Sequence, residues 1–406
     1  MQDAQVRPAA GPIWALAVSQ TIVWAAVYYM FPATLLQVQA ETGWSKAAIT
    51  LAFTLALGIS ALASPAAGRL IDRGRGVAVL AGGAAAGGAL VAALGAALGA
   101  GAPYWLFIAL WLALGLVMAG ALYIPCFSLV TRARGAGARR AITLITLVAG
   151  FAGTLSFPAA HLLAEAFGLP GALVALGAAA LAVGFPLALW GARRLEGERR
   201  ARPAPSGAPD ARPTQGRWWL GAPAFWLLSG GFACLALTHG VLINHLLPIL
   251  AERGVPSELA VLAAASVGPM QVAGRVLMLA VERRASSRTI TLACFAALIG
   301  APAALLAAGG GPIWLALAVA LLGAGAGVVS IMKPTTQRDI LGEADFGAVS
   351  GAMAVPFLAA FAAAPFVGSL VWEAGGYDLA LALLVGVSSL GAAAFWAAGP
   401  SRAAGR

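Results

Sequence analysis

Long apolar runs alternate along this chain with short polar gaps. A hydrocarbon layer about 30 Å thick needs roughly 20 helical residues at 1.5 Å each. Twelve segments meet that length: 12–38, 47–70, 77–100, 103–131, 138–165, 169–191, 218–250, 257–281, 288–309, 312–335, 346–372 and 377–398. The pattern predicts an all-α membrane protein with twelve transmembrane helices. Glycine and proline recur inside the segments, as bundled membrane helices tolerate. Small-residue rows such as Gly82-Gly83 to Gly87-Gly88 predict close helix approach.

The widest gap runs from Arg193 to Arg217 and carries Arg-Pro, Ala-Pro and Pro-Asp steps with no apolar period. It reads as a flexible linker. The expected domains are an N-terminal six-helix bundle (1–191), a cytoplasmic linker (192–217) and a C-terminal six-helix bundle with a short tail (218–406). Six segments on each side imply two bundles related by a pseudo-two-fold axis along the membrane normal. Ala67-Gly68-Arg69 and Ala273-Gly274-Arg275 stand at equivalent places in the two halves, which supports a duplication.

Charge sharpens the picture. Of 25 basic residues, 23 lie in the tails, in every second gap, or in the helix ends bordering those gaps; Lys46 and Arg253 are the two exceptions. Positive loops mark the cytoplasmic side, so both termini are expected there, in a plasma (inner) membrane. With 61% hydrophobic and 10% charged residues, the chain lacks the polar surface of a soluble domain. Its net charge of +10 is scattered over span ends, not gathered into a nucleic-acid-binding stripe. The run after Gly11 is span-length with no cleavage site, so the first helix is expected to stay. Cys126, Cys234 and Cys294 lie inside spans as packed thiols, with no metal spacing. No P-loop or nucleophile triad is present, so neither an enzyme nor a cofactor is expected.

After the second span comes Gly68-Arg69-Leu70-Ile71-Asp72-Arg73-Gly74-Arg75. This resembles the loop 2–3 signature of the major facilitator superfamily, Gly-x-Leu-x-Asp-Arg-x-Gly-Arg, with the last Gly-Arg one residue early. The resemblance implies the two-bundle transporter fold and a gating role for Gly68, Asp72, Arg73 and Arg75. A carboxylate facing a helix N-terminus and an arginine clamp suit such a latch. Within that superfamily, Tyr29-Met30-Phe31-Pro32, Gly43-Trp44-Ser45 and the Gln271-x-x-x-Arg275 spacing look like monocarboxylate carriers and oxalate/formate antiporters. Ala33 stands where animal monocarboxylate carriers have a lysine, Gln271 replaces their acid, and the eleventh span has no lysine.

All 15 acidic residues fall in tails, loops or near span ends. Arg275 lies about 10 Å inside its helix end, at 1.5 Å per residue. It either binds an anion or gates, or its stem snorkels to the boundary. His239 and His245 flank Asn244, the chain's one asparagine; His239 is the deeper and the candidate proton relay. The alternative for each histidine is a hydrogen bond to a neighbouring helix. Gln20, Trp24, Tyr28 and Phe31 fall on one face of the first helix, with Tyr123 and Phe357 as further lining candidates. Trp105 and Trp218-Trp219 read as interfacial anchors.

The expectation is therefore a monomeric carrier of a small organic anion, a carboxylate, with protons as candidate coupling ion. Arg275, Gln271, His239, Asn244, Tyr28, Trp24, Gln20, Tyr123 and Phe357 are the expected substrate-binding residues. The alternatives are an exporter of a neutral or hydrophobic compound, or a solute receptor on a carrier fold.

Overall fold

The computed structural model describes residues 10–135, 138–201, 218–307, 311–342 and 346–399; the side chains of Asp72 and Trp218, and residues 202–217 of the expected linker, lie outside the described set. The helices are α1 (Gly11–Thr42), α2 (Lys46–Leu70), α3 (Arg73–Gly99), α4 (Tyr104–Arg134), α5 (138–167), α6 (169–201), α7 (Pro223–Glu252), α8 (Ser257–Val281), α9 (Ser287–Leu306), α10 (Pro312–Leu341), α11 (346–374) and α12 (377–397). Among the described residues, ten continuous stretches are long and apolar enough to cross a bilayer. Two of these are double. Arg140–Arg200 turns at Gly168, with φ 70°, and Val349–Ala397 turns at Gly375-Gly376, with φ 72° at Gly376. Those left-handed conformations cost glycine nothing and would strain any other residue. The two corners fall in the gaps expected at 166–168 and 373–376, so ten stretches give twelve crossing helices.

Contacts gather the chain into two compact units: Met1–Phe31 with Leu55–Gly207, and Pro32–Thr54 with Ala208–Arg406. The end of α1 and the start of α2 therefore pack with the second unit, although they belong to the first half of the sequence.

Lipid offers no hydrophobic force to pull helices together, so close backbone approach and interhelical hydrogen bonds must do so. In unit 1 a Cβ on Gly88 of α3 would lie 2.8 Å from the Gly177 carbonyl oxygen of α6. In unit 2 the Gly323-x-x-x-Gly327 row of α10 lies against α8. Cβ atoms there would come within 2.4 Å of Met270 Cβ and 2.5 Å of the Gln271 carbonyl oxygen. At one end of unit 1, Ile13, Leu16, Ile71, Leu80, Leu129, Ile145 and Leu195 close a buried apolar core beneath the α2–α3 turn.

Among the local breaks that were not foreseen, which include a turn at Gly150-Phe151 in α5 and a widening at Ala180–Gly184 in α6, two bear on the site. α1 widens at Ala25–Tyr29, where the Met30 N–H reaches back five residues to the Ala25 carbonyl. α4 breaks at Leu122, with ψ −159°. Pro125 accounts for the second break: lacking an N–H, it cannot bond the Ala121 carbonyl four residues back.

Candidate functional site

The Ala121 carbonyl freed by Pro125 is taken by Gln20, whose Nε2 donates to it at 2.8 Å from the facing helix. That bond fixes the amide, and its other end, Oε1, is buried with no hydrogen-bonding partner among the described residues; Trp24 Nε1 is in the same position. The Trp24 ring lies 5.2 Å from Tyr28, 6.3 Å from Tyr29 and 4.7 Å from Tyr123, which stacks on Phe127 at 4.9 Å. Gln20, Trp24, Tyr28 and Tyr123 are thus brought together, and Tyr29, which the sequence reading left out, joins them. Phe31 does not. It meets Trp111 edge-on at 5.2 Å, because the widened turn of α1 lies between it and Trp24 and changes the phase of the helix face.

The loop signature sits where α2 becomes α3. The Ile71 carbonyl accepts from Arg132 Nη1 of α4 at 2.9 Å, so the end of α4 clasps this turn. Arg73 and Arg75 are exposed, and Gly74 takes φ 80°. Nothing within 4 Å would meet a Cβ on Gly68. Arg132 was missed in the sequence because its partner is a backbone carbonyl 61 residues away.

In unit 2, Arg275 turns sideways onto α10, with Nε donating to the Gly327 carbonyl at 3.0 Å. Gly327 is the residue against which the Gln271 backbone packs, one turn before Arg275. Asn244 is fully buried; its Nδ2 donates to the Gly240 carbonyl of its own helix, and Oδ1 has no partner among the described residues. The His239 ring lies 5.8 Å from that of Phe361, with Nε2 buried and unpartnered among the described residues. Phe357 carries Lys333 Nζ 4.0 Å above its ring, a cation the sequence reading passed over.

The largest departure from the sequence reading lies where α11 turns into α12. Lys46, one of the two exceptions to the charge pattern, is 4% exposed. Its ammonium sits 3.4 Å from the centre of the Trp372 ring and 4.8 Å from that of Tyr377. Glu252 accepts from Trp372 Nε1 at 2.7 Å and from the Tyr377 N–H at 3.1 Å. His245 is saturated: Nδ1 meets the Tyr377 hydroxyl and Nε2 the Pro365 carbonyl, each at 2.8 Å. A carbonyl can only accept, so Nε2 carries the proton. Arg253, the other exception, bonds Asp378 at 2.7 Å and the Leu305 carbonyl at 2.6 Å.

Below this cluster, α2 and α11 run antiparallel along a polar seam. Lys46 meets Trp372, Thr50 Oγ1 lies 2.9 Å from Ser369 Oγ, and the Phe366 N–H donates to Thr54 Oγ1 at 3.3 Å. Thr50 and Ser369 are fully buried. Sequence spacing alone could have flagged α2, since Lys46, Thr50 and Thr54 recur every four residues. It could not supply partners more than 300 residues away.

A helical, multi-pass membrane protein with small-residue packing and a few buried polar groups has the build of a carrier. Among solved structures, the chain is similar to a bacterial homologue of the human lysosomal transporter Spinster. One crystal structure, inward-facing and occupied, gives a TM-score of 0.67 at 17% identity, covering 95% of this chain and 96% of that one. Another, inward-facing and unoccupied, gives 0.62 at 16% identity, covering 95% of each chain. No curated protein matches the sequence. The model of the Major Facilitator Superfamily matches residues 14–365, and the chain belongs to that family. It is a membrane transporter of small molecules rather than an enzyme.

Proposed function

We propose that the chain moves a small organic anion, a carboxylate, across the plasma membrane by alternating access, with both termini cytoplasmic. The observation that carries this reading is Arg275. Its guanidinium is tied to the Gly327 carbonyl, level with the helix interior, which argues against a stem reaching for the boundary. A guanidinium at that depth suits a carboxylate, and the sequence places no acidic residue mid-span. Gln271 packs beside it in unit 2; within unit 1, Gln20, Trp24, Tyr28 and Tyr123 are substrate-binding candidates in their own right. His239 and Asn244 supply further polar groups on α7, with His239 the candidate for proton coupling. Phe357 with Lys333 lies on α10 and α11. Gly68, Asp72, Arg73 and Arg75 form the gate, with Arg132 holding their turn. The likeness to monocarboxylate carriers and oxalate/formate antiporters is part of the same proposal.

Counterflow in proteoliposomes tests it. Wild type should exchange at least one radiolabelled small carboxylate, and Arg275→Gln should cut the rate at least tenfold while Arg275→Lys retains part of it. Stabilisation of the purified protein by lipophilic cations or neutral compounds alone would overturn the anion reading in favour of a hydrophobic-compound exporter.

A further inference from the structure

We infer that Trp372, Tyr377 and Glu252 form a binding site for a primary alkylammonium cation, occupied in this structure by the chain's own Lys46. This goes beyond the anion reading and does not depend on it. Burying an ammonium is costly unless it is compensated. Lys46 is buried, yet among the described residues it makes no ion pair within 4.0 Å. Two ring faces compensate it instead, with the carboxylates of Glu252 and Glu373 attracting it from nearby. Aromatic faces combined with a carboxylate are the general chemistry of ammonium recognition.

The cage is also built without the lysine. Glu252 fixes the Trp372 indole through Nε1 and the Tyr377 backbone through its N–H. His245 fixes the Tyr377 hydroxyl and is itself fixed by the Pro365 carbonyl. Every one of these bonds lies within α7, α11 and α12, whereas Lys46 arrives on α2. Removing the lysine should leave an intact, empty cation site. Lys46 is in effect a tethered ligand, and a free alkylammonium of the same length can take its place.

The test is chemical rescue on the purified full chain. Lys46→Ala should lower the melting temperature by about 2–4 °C, as loss of a desolvated cation–π contact implies. n-Butylammonium, which reproduces the lysine side chain, should restore at least half of that loss saturably, and n-butanol should not. Wild type should not respond, because its site is filled. The double variant Lys46→Ala/Trp372→Leu should not respond either. Lys46→Met keeps the apolar stem and gives the same readout if the alanine variant does not fold. The proposal fails if the lysine variants melt like wild type, if butanol rescues as well as the amine, or if wild type or the double variant is stabilised equally.

Discussion

Several long side chains in this protein bond backbone carbonyls on facing helices. Gln20 exists as a structural partner because Pro125 leaves the Ala121 carbonyl open. Gln20→Leu should therefore cost about 1 kcal/mol, the usual worth of a hydrogen bond between membrane helices. Pro125→Ala restores an N–H to that carbonyl, so the same glutamine change should cost much less on that background. Thermal unfolding of the four proteins in a double-mutant cycle reads the coupling, and strict additivity would sink the account. Arg275 and Arg132 likewise bond backbone carbonyls, those of Gly327 and Ile71. A backbone carbonyl has no sequence signature of its own, which is why these partners could not be read from residue types. Pro125 was the one clue in plain view.

At the scale of the helix pair, glycine placement decides packing, and the sequence overstates it. Gly82 and Gly88 belong to the same small-residue row, yet a Cβ on Gly82 meets nothing within 4 Å while one on Gly88 meets α6. Gly327→Ala should cost about 1–3 kcal/mol through overpacking against the Gln271 backbone, whereas Gly82→Ala should be neutral or slightly stabilising. Melting temperatures of the purified variants separate the two, and equal effects would refute the packing account. Helix number was legible because apolar length and polar gaps report it directly. Helix ends were not: α6 runs to 201 and α10 to Leu341, past the expected 191 and 335, because helix continues beyond the apolar stretch. The corners at Gly168 and Gly375-Gly376 fell where the gaps stood. The widened turn of α1 was not legible, since Ala25–Tyr29 carries no proline or glycine to mark it. It was enough to split Phe31 from the aromatic face assigned to it.

For the whole molecule, the arginine pattern sets the topology prediction. Reporter fusions at positions 206 and 400, both beyond the described residues, should read cytoplasmic, and a periplasmic reading at either would refute it. The two basic residues that broke the pattern, Lys46 and Arg253, turned out to be bound to aromatic rings and to Asp378. An exception to a charge rule was a better pointer to buried chemistry than any motif in the chain. The remote pairing itself, α2 with α11, is a product of tertiary assembly and left no trace in local sequence.

That pairing restricts how the two helices can part. Contacts advance along α2 in steps of four residues, at 46, 50 and 54, and back along α11 in steps of three, at 372, 369 and 366. At 1.5 Å per residue those steps are about 6.0 Å and 4.5 Å, so side-chain reach takes up the difference from pair to pair. A slide by one residue would misalign all three pairs, and a slide by one turn would bring Thr54 opposite Ser369 but would take Lys46 off the Trp372 ring. Sliding shear is therefore costly for this pair, and α2 leaves α11 more readily by lifting away from it.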